Sequence, residues 1–412
     1  MILAKKYNIE DLAIFGGARL FSTPKPTSNL VRPDLERFLG YSKLFFERHQ
    51  YTDGVLVKQL EQRLAGFHET KYCIAFCSGF WALALAITAL ARPGKSELVM
   101  PSFTYRRMAD IAAWTRLKPH FCDVDEDTLA NSAATVRPCI NDNTALILGV
   151  HPIVNFCDID GLVDLAREKN IPLLFDSVES VYESSAGRKI GCFGAAEIFS
   201  LGASKLVNGF EGGYLTTNDA RLAERLAMMR NFGCKEPGHI AVPGGLNARL
   251  NEIHAAMALA GLDDLEDQVA RNRRRYQAYQ RLLAPLKGIR LFEFDESHRP
   301  GYKNIVIEVL ADWPLSRADT VGILNAEMIL ARAYYTPPLH RKRMAYPHVA
   351  VELPVTDRLA ERFILPPCGH LVSNEDIAGI VGLMEFISAN AAAIKARLQQ
   401  PHPQQQQGGQ AK

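Results

Sequence analysis

The chain has 412 residues, 48% of them hydrophobic, and a formal net charge of +2 at pH 7. This size and composition predict a large buried core shared between two domains. The near-neutral charge argues against nucleic-acid binding. The one dense basic run, 271–275, directly follows an acidic run and is typical of a solvated helix face. No apolar stretch approaches the roughly 20 residues that span a bilayer, and the start lacks a signal-peptide core. We expect a soluble cytoplasmic protein without a membrane partner.

Eight cysteines are scattered among apolar segments, without a CxxC pair or a Cys/His spacing typical of zinc sites. Cys73 and Cys77 lie nearest to each other, in a predicted strand. Four residues of strand separate them by roughly 13 Å, which is too far for a disulfide. We therefore expect reduced thiols and no metal site.

Between residues 56 and 220, short apolar runs alternate with helical patterns, which predicts a mostly parallel sheet covered by helices. Near-continuous hydrophobicity in these runs indicates strands that are buried on both faces. The predicted strands are 73–77, 97–100, 119–124, 145–150, 171–175, 198–200 and 214–217. The segment 145–176 is predicted to form a βαβ unit.

Helical patterns dominate the later part of the chain. Asn251 is a predicted N-cap for one long helix, 252–283, that joins two domains. Strands are predicted at 289–294 and 304–309, and a capping box at 373–376 opens a final helix that runs to about residue 396. The predicted organisation is an N-terminal arm (1–55), a large domain (56–285), a small α+β domain (286–397) and a disordered tail (398–412).

A loop of small residues, 199–213, places Lys205 between two predicted strands. Upstream, Asp176 follows a buried strand, at the sheet edge where open α/β proteins bind ligands. An aldehyde cofactor needs a lysine amine for its Schiff base, and a pyridine ring that serves as an electron sink needs a buried acid. Lys205 and Asp176 together predict pyridoxal 5′-phosphate (PLP). The alternatives are a solvated lysine and an ordinary turn aspartate.

The cofactor phosphate would need backbone amides. The predicted strand 73–77 turns through Ser78 and Gly79 into a helix, and a helix N-terminus binds anions. Ser78, Gly79 and Phe80 are therefore the predicted phosphate site, with an ordinary strand-to-helix turn as the alternative. The sequence has no GxGxxG or Walker motif that would indicate a nucleotide site.

Several ordered segments share a pattern with one enzyme family. They are Ser78-Gly79-Phe80, Pro101-Ser102-Phe103-Thr104-Tyr105, Phe175-Asp176-Ser177-Val178-Glu179, Phe199 to Lys205 with Gly209-Phe210-Glu211-Gly212-Gly213, and Gly245-Leu246-Asn247-Ala248-Arg249. Tyr51-Thr52-x-Gly54 and Pro337-Pro338-Leu339-His340 are further matches. Over nearly its whole length the chain resembles the DegT-type sugar aminotransferases, which aminate keto groups of nucleotide-linked sugars or cyclitols.

This resemblance implies the fold of fold-type I PLP-transferases, a three-layer α/β sandwich with a mostly parallel central sheet and a smaller C-terminal α+β domain. It also implies that Tyr105 stacks on the pyridine ring, that Ser200 binds the phosphate, and that Asn247 reaches the phosphate of a neighbouring subunit's cofactor. The last role implies a homodimer with shared sites. Read without the resemblance, the three would be a core aromatic, a strand-end turn residue and a loop cap.

Three positions depart from the family pattern. Glu179 replaces the Gln or His that faces the ring hydroxyl, where a carboxylate would repel a phenolate unless it is protonated or turned away. Phe80 replaces a threonine, which removes a hydroxyl from the phosphate site, and Gly202 replaces a histidine. Lys205 is retained, which argues against the family's dehydratase branch, where histidine takes that position.

The resemblance thus implies a PLP-dependent aminotransferase that moves an amino group from L-glutamate or L-glutamine to a keto sugar or cyclitol in amino-sugar biosynthesis. Two alternatives stay open at this point. One is a PLP-binding regulatory or partner protein without transaminase activity, suggested by the three departures. The other is a PLP-dependent sugar dehydratase or lyase.

Overall fold

The structure is a computed structural model that describes residues 5–28, 31–48, 54–236 and 238–400. Its α-helices are α1 (Leu35–Arg48), α2 (Val55–Phe67), α3 (Gly79–Leu90), α4 (Met108–Trp114), α5 (Ala133–Val136), α6 (Ile159–Lys169), α7 (Ala220–Met229), α8 (Glu252–Asp263), α9 (Leu265–Leu283), α10 (Arg317–Ala326), α11 (Pro354–Leu359), α12 (Asn374–Ala389) and α13 (Ala391–Leu398). Its strands are β1 (Lys25–Pro26), β2 (Tyr72–Phe76), β3 (Glu97–Pro101), β4 (Lys118–Cys122), β5 (Thr144–Val150), β6 (Leu173–Asp176), β7 (Ser184–Ser185), β8 (Arg188–Lys189), β9 (Ala196–Ser200), β10 (Gly213–Thr217), β11 (Cys234–Glu236), β12 (His239–Ile240), β13 (Ile289–Leu291), β14 (Ile307–Val309), β15 (Ile329–Leu330), β16 (Arg332–Ala333) and β17 (Phe363–Leu365).

The central sheet has seven strands in the order β2-β10-β9-β6-β5-β3-β4. β10 pairs antiparallel with β2 and β9, and the other neighbours are parallel. All seven strands predicted from apolar runs are present, and their ends fall within two residues of the predicted ones. The predicted βαβ unit is β5-α6-β6. The prediction of a mostly parallel sheet is confirmed.

Helices cover both faces of this sheet. In the interior strand β5, Leu146 and Leu148 pack in one core cluster with α3, α4 and α7, whereas Ile147 packs in the other with α2, α6 and α8. Successive strand residues point to opposite faces, so a strand buried on both sides must be apolar at every position. The three-layer α/β fold class predicted from the sequence is confirmed.

The helical region after β12 differs from the prediction in one respect. Asn251 caps α8 as predicted, since its Oδ1 accepts a hydrogen bond from the His254 amide at 3.1 Å. The single helix predicted for 252–283 is wrong, because the chain breaks at Asp264 into α8 and α9. The Asp264 carboxylate accepts from the Asp34 amide at 2.9 Å and from Arg37 Nη1 at 2.8 Å. The break therefore fixes the N-terminal arm to the helix junction.

A second, antiparallel sheet has the order β13-β14-β17-β16. Both predicted strands of this region, β13 and β14, are shorter than expected. The capping box is present, as Ser373 Oγ accepts from the Asp376 amide at 3.1 Å and Asp376 Oδ2 accepts from the Ser373 amide at 2.9 Å. The final helix is divided at Asn390 into α12 and α13, because this residue leaves the helical conformation while its Nδ2 bonds Phe386 O at 2.9 Å.

The first unit is the central sheet with its helices, and the second unit is the sheet β13-β14-β17-β16 with the helices and strands around it. The described part of the N-terminal arm contacts both units. β1 pairs in parallel with β15, and Lys25 Nζ lies 2.7 Å from Asp376 Oδ2. The proposed division into arm, large domain, small domain and tail stays a prediction. Tyr51 and Thr52 of the family-like motif lie outside the described residues, as does the tail from residue 401, and Leu398 is the last residue of α13.

Among the described residues, no single helix has the length and apolar character needed to cross a membrane. The bent pair α12 and α13 meets that test jointly, by length and composition alone. Ile377, Ile380 and Ile387 of α12 are fully buried within the protein, as expected of a core helix.

Candidate active site

The carboxyl ends of β5, β6 and β9 open into a cavity of about 970 Å³. Parallel strands bring their carboxyl ends to the same edge of a sheet, which is why residues distant in sequence meet there. Of the predicted site residues, this cavity is lined by Ser78, Gly79, Phe80, Tyr105, Asp176, Glu179, Ser200 and Lys205. All but one of the site residues predicted from the sequence therefore lie in this one cavity; the exception is Asn247.

Lys205 lies in the loop between β9 and β10. The loop is closed by hydrogen bonds from the Leu201 amide to Gly212 O at 2.9 Å and from the Gly209 amide to Leu201 O at 2.8 Å. Gly212 has a φ of +137°, a conformation that side chains with a Cβ rarely adopt, so glycine is required at this closure. The Lys205 side chain is 17% exposed and turns inwards, where Nζ donates to Glu179.

Asp176 is the last residue of β6 and is 4% exposed. Its Oδ1 accepts from the Val178 amide at 3.2 Å. Burial raises the pKa of Asp176 to about 6, although the Val178 amide and the charge of Lys205 act in the opposite direction. A cationic ring nitrogen beside this carboxylate would lower the pKa again, so the site suits a protonated pyridine.

Glu179 is held between two lysines. Its Oε1 accepts from Lys205 Nζ, and its Oε2 accepts from Lys303 Nζ at 2.5 Å and from Asn304 Nδ2 at 3.3 Å. Burial alone would raise the pKa of Glu179, but the charges of Lys205 and Lys303 outweigh it and lower the pKa to about 2. Glu179 is therefore an ionised carboxylate whose charge is compensated.

The start of α3 provides the backbone amides that the predicted phosphate site needs. Ser78 caps the helix, since its Oγ accepts from the Trp81 amide at 3.2 Å, and the first amides of a helix have no intrahelical acceptor. Ser200 Oγ faces the same cavity and accepts from the Gly202 amide at 3.2 Å. Phe80 offers only its backbone amide, because its side chain has no hydrogen-bond donor; the ring packs on Trp81.

Two glycines allow this helix start to approach the sheet. A Cβ on Gly213 would lie 2.3 Å from the Gly79 amide nitrogen, and a Cβ on Gly79 would lie 3.2 Å from Phe199 O. Any side chain at Gly213 would therefore displace the helix N-terminus from β10. With a lysine, an acid and an anion site in one cavity, the residues fit PLP.

Tyr105 and Asn247 occupy different surroundings. Tyr105 lines the cavity and is 49% exposed, which leaves its ring available to a bound ring system. Asn247 does not line the cavity in its own chain. Its backbone pairs with that of Asn231 in an isolated antiparallel β-bridge, and its side-chain Oδ1 accepts a hydrogen bond from Arg249 Nε at 3.2 Å.

The Pro-Pro-Leu-His segment supports the strand that precedes Tyr105. The amide of Leu339 donates to Ser102 O at 3.1 Å, and Ser102 Oγ lies 2.7 Å from His340 Nδ1. His340 Nε2 in turn lies 3.1 Å from Asp357 Oδ1. The motif thus fixes the backbone from which Tyr105 projects.

The sequence reasoning missed His151, which follows β5 and lines the cavity. Its ring stacks on Phe175 with centroids 5.5 Å apart, and its Nδ1 accepts from the Cys157 amide at 3.2 Å. Burial lowers the pKa of His151 to about 3, so the ring is neutral and its proton lies on Nε2. A polar residue directly after a buried parallel strand was the available signal.

Lys303 and Asn304 were missed as well. They precede β14 in the second unit, and the sequence offers no local motif that connects them to Glu179. Burial lowers the pKa of Lys303, and the charge of Glu179 opposes that effect. Only the folded chain shows that a fourth charged group, Lys303, belongs to this site beside Asp176, Glu179 and Lys205.

Comparison with known proteins agrees with this geometry. Residues 36–385 match the model of the DegT/DnrJ/EryC1/StrS aminotransferase family. The chain belongs to this family. It is a PLP-dependent aminotransferase, so the predicted family, enzyme class and cofactor are confirmed, and the transaminase interpretation is favoured over the regulatory and dehydratase alternatives.

Individual relatives of this aminotransferase carry names of the same kind. The dTDP-4-amino-4,6-dideoxy-D-glucose transaminase of Shigella dysenteriae is 26% identical over 306 residues, which cover 74% of this chain and 83% of the relative. The L-glutamine:2-deoxy-scyllo-inosose aminotransferase of Streptomyces fradiae is 29% identical, over 87% of this chain and 90% of the relative. The crystal structure of DesI in the presence of its TDP-sugar product matches with a TM-score of 0.89 and 32% identity, over 95% of this chain and all of DesI.

Proposed function

We propose that this aminotransferase moves an amino group from L-glutamate or L-glutamine to the keto group of a sugar or cyclitol in amino-sugar biosynthesis. The observation that carries the proposal is the meeting of Lys205, Asp176 and the α3 anion site in one cavity. The names of the relatives support the acceptor class, since they include a nucleotide-sugar transaminase and a cyclitol aminotransferase.

Each residue has a role that follows from its surroundings. The α3 amides, Ser78 and Ser200 bind the phosphate, and Asp176 holds a proton at the ring nitrogen. Lys205 Nζ takes a proton from the amine-bearing carbon of the donor and gives one to the keto-bearing carbon of the acceptor. PLP, when bound, supplies the electron sink for these proton transfers and carries the amino group from donor to acceptor.

The absorption spectrum tests the donor half. PLP-loaded protein is expected to show a visible band that shifts into the ultraviolet on addition of L-glutamate or L-glutamine. An amino product must then form when a nucleotide-linked keto sugar or a keto cyclitol is added. A visible band that neither amino donor changes would contradict the proposal.

The proposed assembly is a homodimer with shared sites. Phe232, whose amide bonds Leu246 O at 3.1 Å beside Asn247, is 51% exposed, and Ile253 near the loop of Lys205 is 46% exposed. Contiguous exposed apolar patches are typical of an interface, and in the proposed dimer the second copy covers these two side chains. The second copy contributes its Asn247 to the phosphate of the first.

Complementation between two inactive variants tests this assembly. K205A lacks the reactive lysine, and N247A is expected to bind PLP weakly. In a mixed dimer, the site with Lys205 of the N247A chain receives Asn247 from the K205A chain and is complete. Refolding the two chains together should therefore restore activity, up to about half of the wild-type value per mixed dimer, whereas N247A mixed with K205A/N247A should not.

A further inference from the structure

Residues 301–304 of the second unit pack against Glu179 and Leu206, which is next to Lys205 in the chain. Lys303 Nζ lies 2.5 Å from Glu179 Oε2, and the Lys303 side chain is only 13% exposed. Asn304 Nδ2 bonds the same carboxylate oxygen at 3.3 Å. Glu179 therefore has two fixed donors on one oxygen, while Lys205 binds the other.

The backbone of this segment is held rigidly. Glu183 Oε1 accepts from the Gly301 amide at 3.3 Å, and Asn272 Nδ2 donates to Gly301 O at 3.3 Å. A Cβ on Gly301 would lie 3.1 Å from Leu206, the neighbour of Lys205. Close packing and two hydrogen bonds thus fix the point from which Lys303 reaches Glu179.

Lys205 and Lys303, which both pair with Glu179, differ in whether they take part in the reaction. Lys205 must leave the carboxylate whenever its amine is engaged in the reaction. Lys303 has no such task, so it remains the partner of Glu179 throughout. Without Lys303, the buried Glu179 carboxylate would have no cationic partner each time Lys205 departed, and an unpaired buried charge is strongly unfavourable.

We propose that Lys303 is a positioning residue, which keeps Glu179 ionised and oriented so that the carboxylate can receive the Lys205 amine and release it. The inference deepens the proposed function, because it rests on the roles given there to Lys205 and PLP. Asn304 assists by fixing the same oxygen. Lys303 acts through Glu179 and does not itself transfer a proton.

Other titratable groups also lie around this carboxylate. Burial raises the pKa values of Asp176, Glu183, Tyr334, Tyr335 and Cys368, and the charge of Glu179 adds a smaller effect in the same direction. Any one of them could contribute to a pH profile measured at the site. The test therefore compares the effect of one substitution in two backgrounds, with and without the Glu179 charge.

The measurement is the pH midpoint at which the visible absorption of PLP-loaded protein changes. K303M should raise this midpoint by about one pH unit, because the uncompensated Glu179 charge favours protonation near Lys205. In the E179Q background, the K303M shift should fall to less than about a third of that value, since contacting residues are coupled. K303R should keep the wild-type midpoint.

K25M is the matched control, since Lys25 is another largely buried lysine paired with a carboxylate, away from the cavity. It should leave the midpoint unchanged. An equal K303M shift in both backgrounds, a shift in the opposite direction, or no shift would overturn the role of Lys303. A wild-type protein without a visible band would instead overturn the proposed role of Lys205, and this inference with it.

Loss of folding is also informative. If K303M does not fold, E179Q/K303M must, because it also removes the Glu179 charge that K303M leaves without its lysine. The double variant is then compared with E179Q by the same midpoint. Failure of the double variant to fold would overturn the inference, because the damage would then not act through Glu179.

Discussion

Asp176 and Glu179 lie three positions apart at the same sheet edge, yet their surroundings give them opposite properties. Burial raises the pKa of Asp176 to about 6, and its side chain bonds a backbone amide. The pKa of Glu179 is about 2, because two lysines outweigh the effect of burial. Asp176 therefore suits a cation that arrives with a ligand. The charge of Glu179, in contrast, is already compensated within the protein by Lys205 and Lys303.

The largest expected effect comes from removing the lysine that connects these two regions. K205A should lower transamination by more than about 10³-fold, because Lys205 is the one lysine among the described residues that line the cavity. It should also abolish the visible band of PLP-loaded protein. K58A, on an exposed face of α2, is the control and should retain full turnover. A K205A variant that keeps most of its turnover would refute the assignment.

Asp176 can be tested by both rate and stability. D176N should lower turnover by about 100-fold, since a neutral amide stabilises the ring proton less well. In cofactor-free protein the same change should be stabilising above pH 6. The folded pKa of Asp176, about 6, exceeds the ordinary 3.8, so wild-type stability falls as pH rises between these values.

The stability gain of D176N should be about 2 kcal/mol at pH 8 and should vanish near pH 4. Denaturant unfolding at the two pH values measures it. A D176N protein that is less stable than wild type at pH 8 would show that another group of the protein already compensates the charge of the Asp176 carboxylate.

Glu179 should show the reverse pH dependence. Its folded pKa, about 2, lies below the ordinary 4.5, so its contribution to stability is present above pH 4.5 and is lost as pH falls towards 2. Wild-type protein should therefore lose about 2 kcal/mol more than E179Q over this interval. If wild-type protein and E179Q lost the same free energy of unfolding over this interval, the pairing of Glu179 with the two lysines would be contradicted.

The smallest effect concerns the helix cap at the phosphate site. S78A should destabilise the fold by about 1 kcal/mol, as expected for the loss of a serine N-cap, and should weaken PLP binding. S373A is the matched control, because Ser373 caps α12 away from the cavity. It should have a similar effect on stability but none on PLP affinity. Equal PLP affinity in both variants would remove Ser78 from the phosphate site.

The sequence located those parts of the site that depend on local order. Asp176 follows its strand, and Ser78 opens its helix, so the parallel sheet alone brings them together. The pairing of Glu179 with Lys303 spans 124 residues and depends on how the second unit packs. No periodicity or motif carries that information, and the Glu179 departure looked unfavourable until its partner was seen.

Helix continuity was also beyond local patterns. The apolar periodicity from Glu252 to Leu283 continues through Asp264, but the carboxylate of this residue serves the N-terminal arm. A tertiary contact thus overrides helical propensity at one position. The same holds near Asn390, where the side-chain amide competes for a backbone carbonyl.

The strand order of the central sheet also constrains how the protein is made. β2 is at the edge of the sheet, where it pairs with β10, and 137 residues separate Phe76 from its partner Gly213. Synthesis at about 5 to 20 residues per second implies a wait of roughly 7 to 27 s before β2 can pair. The phosphate-binding turn on the nascent chain therefore stays incomplete until the loop of Lys205 has left the ribosome, so cofactor capture must follow the synthesis of β10.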